Sequence, residues 1–172
     1  MRDSTRCVHL APDGDPFGAT SPPIYQTATF RQPSATEFGA YDYTRTANPT
    51  RAALEAQIAR LEGGARAFAF ASGMAAVSAV TRLVAAGDEV LAGDDLYGGT
   101  FRLLGHALPP LGVAVRYVDA TDPGAVARAI GPRTRLVLVE TPTNPLLRVA
   151  DVAALAETAH GAGALLAVDN SL

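Results

Sequence analysis

From residue 67 onward, short apolar runs take turns with helical stretches, and this alternation constrains the fold more than any other feature of the chain. The runs Ala67 to Phe70, Glu89 to Leu91, Val113 to Val118, Arg135 to Val139 and Ala164 to Val168 have the length and composition of strands. Between them helices are predicted from Gly73, near Gly98, after Asp122-Pro123 and from Asp151. Several of the runs are apolar throughout, as expected where both faces of a strand are covered. The pattern predicts an α/β fold: a mostly parallel sheet with helices on both faces and ligands at the carboxyl ends of its strands.

Residues 1–47 are rich in proline and show no sustained period, so they are expected to form an extended N-terminal arm that needs a surface to lie against. At Asn48-Pro49 the pattern changes. Asn48 can cap, Pro49 suits a first helical turn, and Leu54, Ile58 and Leu61 recur at helical spacing until Gly63-Gly64. Residues 48–172 are expected to form the domain that carries the sheet. The net charge of -3 and the scattering of the basic residues, all fourteen of them Arg, argue against a nucleic-acid partner. The most apolar window, Ala67 to Val80, is too short to span a bilayer, and the N-terminus has no signal-peptide run, so the expected location is cytoplasmic. Lone Cys7 is given no role, and no metal site is expected.

Three places can carry chemistry. Ser72-Gly73-Met74 precedes a helix, where free backbone N–H groups and the helix dipole suit an anion such as phosphate, although a Ser-Gly pair is more commonly a plain tight turn. Asp169 directly follows the last strand, so its carboxylate should emerge at the binding edge of the sheet. There it can pair with a protonated ring nitrogen, which makes pyridoxal phosphate a better electron sink; alone, such an aspartate is usually a cap or a loop residue. Tyr97, in Asp94-Asp95-Leu96-Tyr97-Gly98-Gly99-Thr100, can stack on a flat ring and offer its hydroxyl for proton transfer, or be a half-buried loop tyrosine. Gly98 and Gly99 beside it would let the backbone approach a ligand.

The segments Ser21-Pro22-Pro23-Ile24-Tyr25-Gln26-Thr27, Tyr41-Asp42-Tyr43-Thr44-Arg45, Asn48-Pro49-Thr50-Arg51 and Ser72-Gly73-Met74-Ala75-Ala76 resemble motifs of the Cys/Met metabolism family of pyridoxal-phosphate enzymes. So do Asp95 to Thr100, Glu140-Thr141-Pro142-Thr143-Asn144-Pro145 and Val168-Asp169-Asn170, so that the resemblance covers nearly the whole chain. It implies the type I fold of pyridoxal-phosphate transferases, here an N-terminal arm plus part of the large domain. It also implies roles for single residues. The Ser72, Gly73 and Met74 segment would hold the cofactor phosphate, Tyr97 would stack on the ring and act in catalysis, Asn144 would lie near the phenolic oxygen and Asp169 would pair with the ring nitrogen. Tyr43 and Arg45 would reach the phosphate of a neighbouring subunit's cofactor, which implies a homodimer or homotetramer with shared sites. The implied substrate is a small sulfur amino acid, cystathionine, cleaved by β-elimination, since Arg31 to Gly39 and Val168 to Ser171 look most like plant-type β-lyases. The γ-lyase and γ-synthase activities of the same family are the alternatives, and Gly99, where methionine γ-lyases have a cysteine, argues against that branch.

The family's covalent lysine lies in a Ser-x-Thr-Lys segment beyond the aspartate, whereas the sequence ends at Leu172 and contains no Lys. The expectation is a chain truncated before that lysine, inactive by itself because covalent attachment of the cofactor needs a primary amine. The competing reading from another class is a lysine-free binding or dimerisation module. A dinucleotide site is set aside because Gly161-Ala162-Gly163 precedes a strand and lacks the third glycine, and the absence of Lys excludes a Gly-Lys-Ser/Thr phosphate loop.

Overall fold

The structure, a computed structural model, describes residues 3–8 and 17–171. It divides into two compact units, one ending at Ala69 and one beginning at Phe70.

The first unit contains helices α1 (Asp3–Val8) and α2 (Pro49–Leu61) and an irregular segment between them. Asn48 organises it. Its side-chain oxygen accepts the Thr50 N–H at 2.8 Å and so caps α2, while its Nδ2 donates to the Tyr25 carbonyl at 3.0 Å and to Thr44 Oγ1 at 3.1 Å. One buried amide thus fixes both the start of the helix and the course of the arm, as the Asn-Pro pair predicts. A single antiparallel bridge joins Thr29 to Tyr43, and the Phe30 ring lies 5.6 Å from that of Tyr41. The helical period of α2 is correct, yet Leu54 and Ile58 stay exposed, and the buried position is Gln57, which donates to the Arg6 carbonyl of α1. The packed face of α2 thus carries a donor that meets a carbonyl in the last turn of α1, where helix carbonyls run out of helical N–H groups.

The second unit holds helix α3 (Gly73–Val80), strand β1 (Glu89–Gly93), helix α4 (Gly98–Arg102), strand β2 (Ala114–Val118), helix α5 (Pro123–Ala129), strand β3 (Thr134–Glu140), helix α6 (Val152–Gly161) and strand β4 (Leu165–Asp169). All strand pairs are parallel, in the order β2-β1-β3-β4. Alternate residues of the two central strands feed two separate cores. Leu91, Val137 and Val139 pack with Val126 of α5 and with Leu155 and Ala159 of α6. Val90, Ala92, Leu136 and Leu138 pack with Val77 of α3 and with Leu104 and Leu108 beyond α4. Both faces are thus covered, as the uninterrupted apolar runs require, and each fully buried Leu or Val contributes about 1.5–3 kcal/mol of transfer free energy.

One expected strand is not a strand. Ala67 to Phe70 is extended but pairs with no neighbour among the described residues, and Phe68 and Phe70 are exposed. The Ala69 N–H donates to the Glu55 carboxylate at 2.9 Å, so a side chain takes the place of a strand partner.

Candidate functional site

The carboxyl ends of the parallel strands carry an open cavity of about 340 Å³. Ser72, Gly73, Met74, Tyr97, Asn144 and Asp169 all line it. Six of the eight predicted site residues, taken from four separate stretches of sequence, therefore meet at one place, within the usual size range of small-molecule sites. Tyr43 and Arg45 lie in the first unit beside one another, with the guanidinium carbon 5.0 Å from the centre of the tyrosine ring.

Each wall has a local cause. Ser72 is the N-cap of α3: its Oγ accepts the Ala75 N–H and its carbonyl the Ala76 N–H, both at 3.1 Å. The Gly73 and Met74 N–H groups stand ahead of those two and have no carbonyl within the helix to receive them, which suits an anion. A Cβ built on Gly73 would meet nothing within 4 Å, so the protein's own packing does not demand a glycine there. The extended segment before Ser72 pairs with no strand among the described residues, so the cap places this turn rather than the end of a strand.

Asp169 ends β4 and is half-buried. One of its carboxylate oxygens accepts the Ser171 N–H at 3.0 Å, and the other has no hydrogen-bond donor among the described residues. Such an oxygen suits a cationic N–H. Tyr97 precedes α4, and its side chain is 48% exposed, so the ring has a free face. Gly99, the second glycine after it, does different work from that expected. A Cβ on Gly99 would fall 2.5 Å from the Tyr97 ring and 2.8 Å from Met74 Sδ, so Gly99 makes room for the tyrosine ring itself rather than for a ligand.

Sequence reasoning assigned no role to Glu140, the last residue of β3. It is 3% exposed, lines the same cavity, and sits in register beside Asp169. Behind the cavity, Arg148 ties three elements together, with NH1 3.1 Å from an Asp94 oxygen and NH2 2.6 Å from an Asp119 oxygen. Hydrogen bonds from Thr121, and then from Arg148, hold the Asp119 carboxyl below its ordinary range. No group of residues suited to a metal ion occurs among the described residues, and no described helix is long and apolar enough to cross a membrane.

The chain is similar to several known proteins. The family described as Cys/Met metabolism PLP-dependent enzyme matches residues 4–172. Chloroplastic cystathionine beta-lyase of Arabidopsis thaliana is 55% identical over 98% of this chain and 36% of its own length. Cystathionine gamma-lyase of Bacillus subtilis (strain 168) is 46% identical over 99% of this chain and 45% of its own. The crystal structure of cystathionine gamma-lyase from Lactobacillus plantarum complexed with L-serine superposes with a TM-score of 0.92 at 47% identity, covering 99% of this chain and 45% of that one. The chain thus spans less than half the length of these relatives. With a parallel sheet of this topology, a cavity lined from four motif segments and a family match from residue 4 to residue 172, the chain belongs to the Cys/Met metabolism family of PLP-dependent enzymes.

Proposed function

We propose that the protein carrying this chain is a pyridoxal-phosphate carbon–sulfur lyase that cleaves cystathionine by β-elimination, with net uptake of water, to homocysteine, pyruvate and ammonia. The observation that carries this reading is the meeting of the Ser72-Gly73-Met74 turn, Tyr97, Asn144 and Asp169 at one cavity. The lining fits the cofactor on the chain's own terms. A glycine without a packing reason opens two unsatisfied N–H groups toward an anion, and a carboxylate oxygen without a donor waits for a cation. When bound, pyridoxal phosphate supplies an electron sink for carbanion character at the amino-acid carbon.

The chain's residues have distinct tasks in this reading. Gly73 and Met74 hold the phosphate through backbone N–H groups, and Asp169 keeps a proton on the ring nitrogen. Asn144 hydrogen-bonds the phenolic oxygen. Tyr97 covers a face of the ring and excludes water there, and its hydroxyl moves a proton between substrate and leaving group. Tyr43 and Arg45 belong to the neighbouring subunit's phosphate site, in a homodimer or homotetramer located in the cytoplasm. The β-lyase preference rests on the Arabidopsis relative and on the segments Arg31 to Gly39 and Val168 to Ser171, and the γ-lyase relatives keep γ-elimination as the alternative outcome.

The test uses the protein as its gene encodes it. Cystathionine should yield pyruvate and homocysteine; release of 2-oxobutyrate and cysteine would replace β- by γ-elimination. Asp169→Asn keeps size but removes the charge, and should lower turnover about a thousandfold, near 4 kcal/mol of transition-state stabilisation. Turnover within a few-fold of the parent, with cofactor still bound, would put the wrong carboxylate at the ring nitrogen.

A further inference from the structure

Glu140 is the one buried ionisable side chain at the cavity that the proposed chemistry does not use. Its two carboxylate oxygens face two different loops. Oε2 accepts the Tyr97 N–H at 2.7 Å, and Oε1 accepts the Asn144 N–H at 2.6 Å. These two residues stand 47 positions apart in the chain. The carboxylate sits at the end of β3, whose preceding four residues leave it no freedom: Leu136 to Val139 are 0–2% exposed and locked into the two cores. A rigid strand therefore presents one bidentate acceptor to the backbones of the two loops that carry the ring-contacting side chains.

The charge pattern around it is unusual for a buried acid. No Arg or His lies among the residues lining the cavity, and Arg148 is engaged with Asp94 and Asp119 instead. Among the described residues the hydrogen-bond donors to Glu140 are thus the two backbone amides it positions. The same two loops are joined a second time by side chains: Thr143 Oγ1 donates to Asp95 Oδ2 and accepts the Arg148 N–H at 2.9 Å. That second tie holds the loops in place without setting the Asn144 amide itself.

From this we infer that Glu140 is the positioning residue of the site, a two-armed acceptor that fixes the separation of Tyr97 and Asn144 and so the placement of a flat ring between them. The inference deepens the proposed function and rests on it. Glu140 touches no reacting atom. It acts through the two backbones, and small displacements of such groups are costly in a site that depends on alignment.

The test compares the gene-encoded protein with Glu140→Gln and Glu140→Asp. Gln offers one acceptor oxygen and turns an amide N–H against a backbone N–H, so one of the two bonds must fail. Asp keeps both oxygens but is one methylene shorter, and serves if Gln prevents folding. In the cofactor-free proteins, hydrogen exchange should quicken at least tenfold at the Tyr97 and Asn144 amides while the amides of β1 and β3 are unchanged. Pyridoxal phosphate itself should then bind at least tenfold more weakly, with an altered visible circular dichroism band, because the ring is held in a different environment. Unchanged exchange at both amides overturns the inference, and so does faster exchange with unaltered affinity and dichroism, which would leave Glu140 a purely structural residue. A parent protein that takes up no pyridoxal phosphate would instead overturn the proposed function, while the exchange data would still decide whether Glu140 fixes the two loops.

Discussion

The two ends of the parallel sheet each bury a glutamate, and they satisfy it in opposite ways. Glu89 opens β1 and is 5% exposed; Glu140 closes β3 and is 3% exposed. Glu89 is met by side chains, the Arg116 fork at 2.7 Å to each oxygen and Thr134 Oγ1 at 2.6 Å, and Arg116 also donates to the Ala129 carbonyl. Glu140 is met by backbone N–H groups of two loops. The first arrangement is closed: charge neutralises charge and the end of α5 is tied to the start of the sheet. The second leaves a cavity, and it holds the loops around that cavity without placing a cation in it. A guanidinium there would compete with a cationic ring nitrogen for Asp169. The comparison teaches that a buried acid marks a functional end of a sheet by the kind of donor it takes, not by its burial.

If the N-terminal end serves stability alone, breaking it must not touch the cavity. Arg116→Met leaves Glu89 buried without its main partner and should cost about 2 kcal/mol of unfolding free energy, with pyridoxal-phosphate affinity unchanged. Denaturant titration and cofactor titration of the same variant decide it, and a weakened cofactor site would dissolve the distinction between the two ends.

The next effect is smaller and depends on pH. Hydrogen bonds from Arg116 hold the Glu89 carboxyl below its ordinary value of 4.5, outweighing the opposite pull of burial, and Thr134 adds to the lowering. A depressed carboxylate contributes stability that is fully present above the unfolded value and lost as pH falls through the folded one. Between pH 7 and 5 the parent should hold its stability, and below about 4.5 it should lose more than Glu89→Gln, whose curve is flatter by that contribution. Parallel curves for the two proteins would mean that the pair does nothing for the sheet.

The smallest effect sharpens the comparison by control. Arg128 and Asp122 also form an ion pair, 3.4 Å apart, but their side chains are 74% and 55% exposed. Arg128→Ala should change stability by less than about 0.5 kcal/mol, since exposed pairs trade solvation for little gain. A loss as large as that of Arg116→Met would show that charge pairing matters here regardless of burial.

How much of this was legible beforehand follows from the kind of force involved. Burial on both faces excludes polar residues, so Leu136 to Val139 announces a central strand from composition alone. The same composition misleads at Ala67 to Phe70, because apolar character reports a need for cover and says nothing of whether a strand lies alongside. Asn48 was legible since capping is local, and the buried Gln57 was not, since its acceptor lies 51 residues away. Gly99 was legible as a required glycine but not in its reason, which depends on where the Tyr97 ring comes to rest. Glu140 was missed because a side chain that binds distant backbone leaves no spacing rule. The available signal was an acid placed directly after four apolar residues of a strand, where a charge is expensive unless it has partners.

The alternation of β3 between two cores also makes its length a matter of parity. Leu136 and Leu138 face one layer, Val137 and Val139 the other, and Glu140 ends the series. Inserting or deleting a single residue inside this strand would exchange the two layers and turn the terminal carboxylate away from both loops, whereas a change of two would restore the faces but misplace the end. Divergent descendants of this sequence should therefore vary in length around Gly131 to Arg133, before the strand begins, and hardly at all between Leu136 and Glu140.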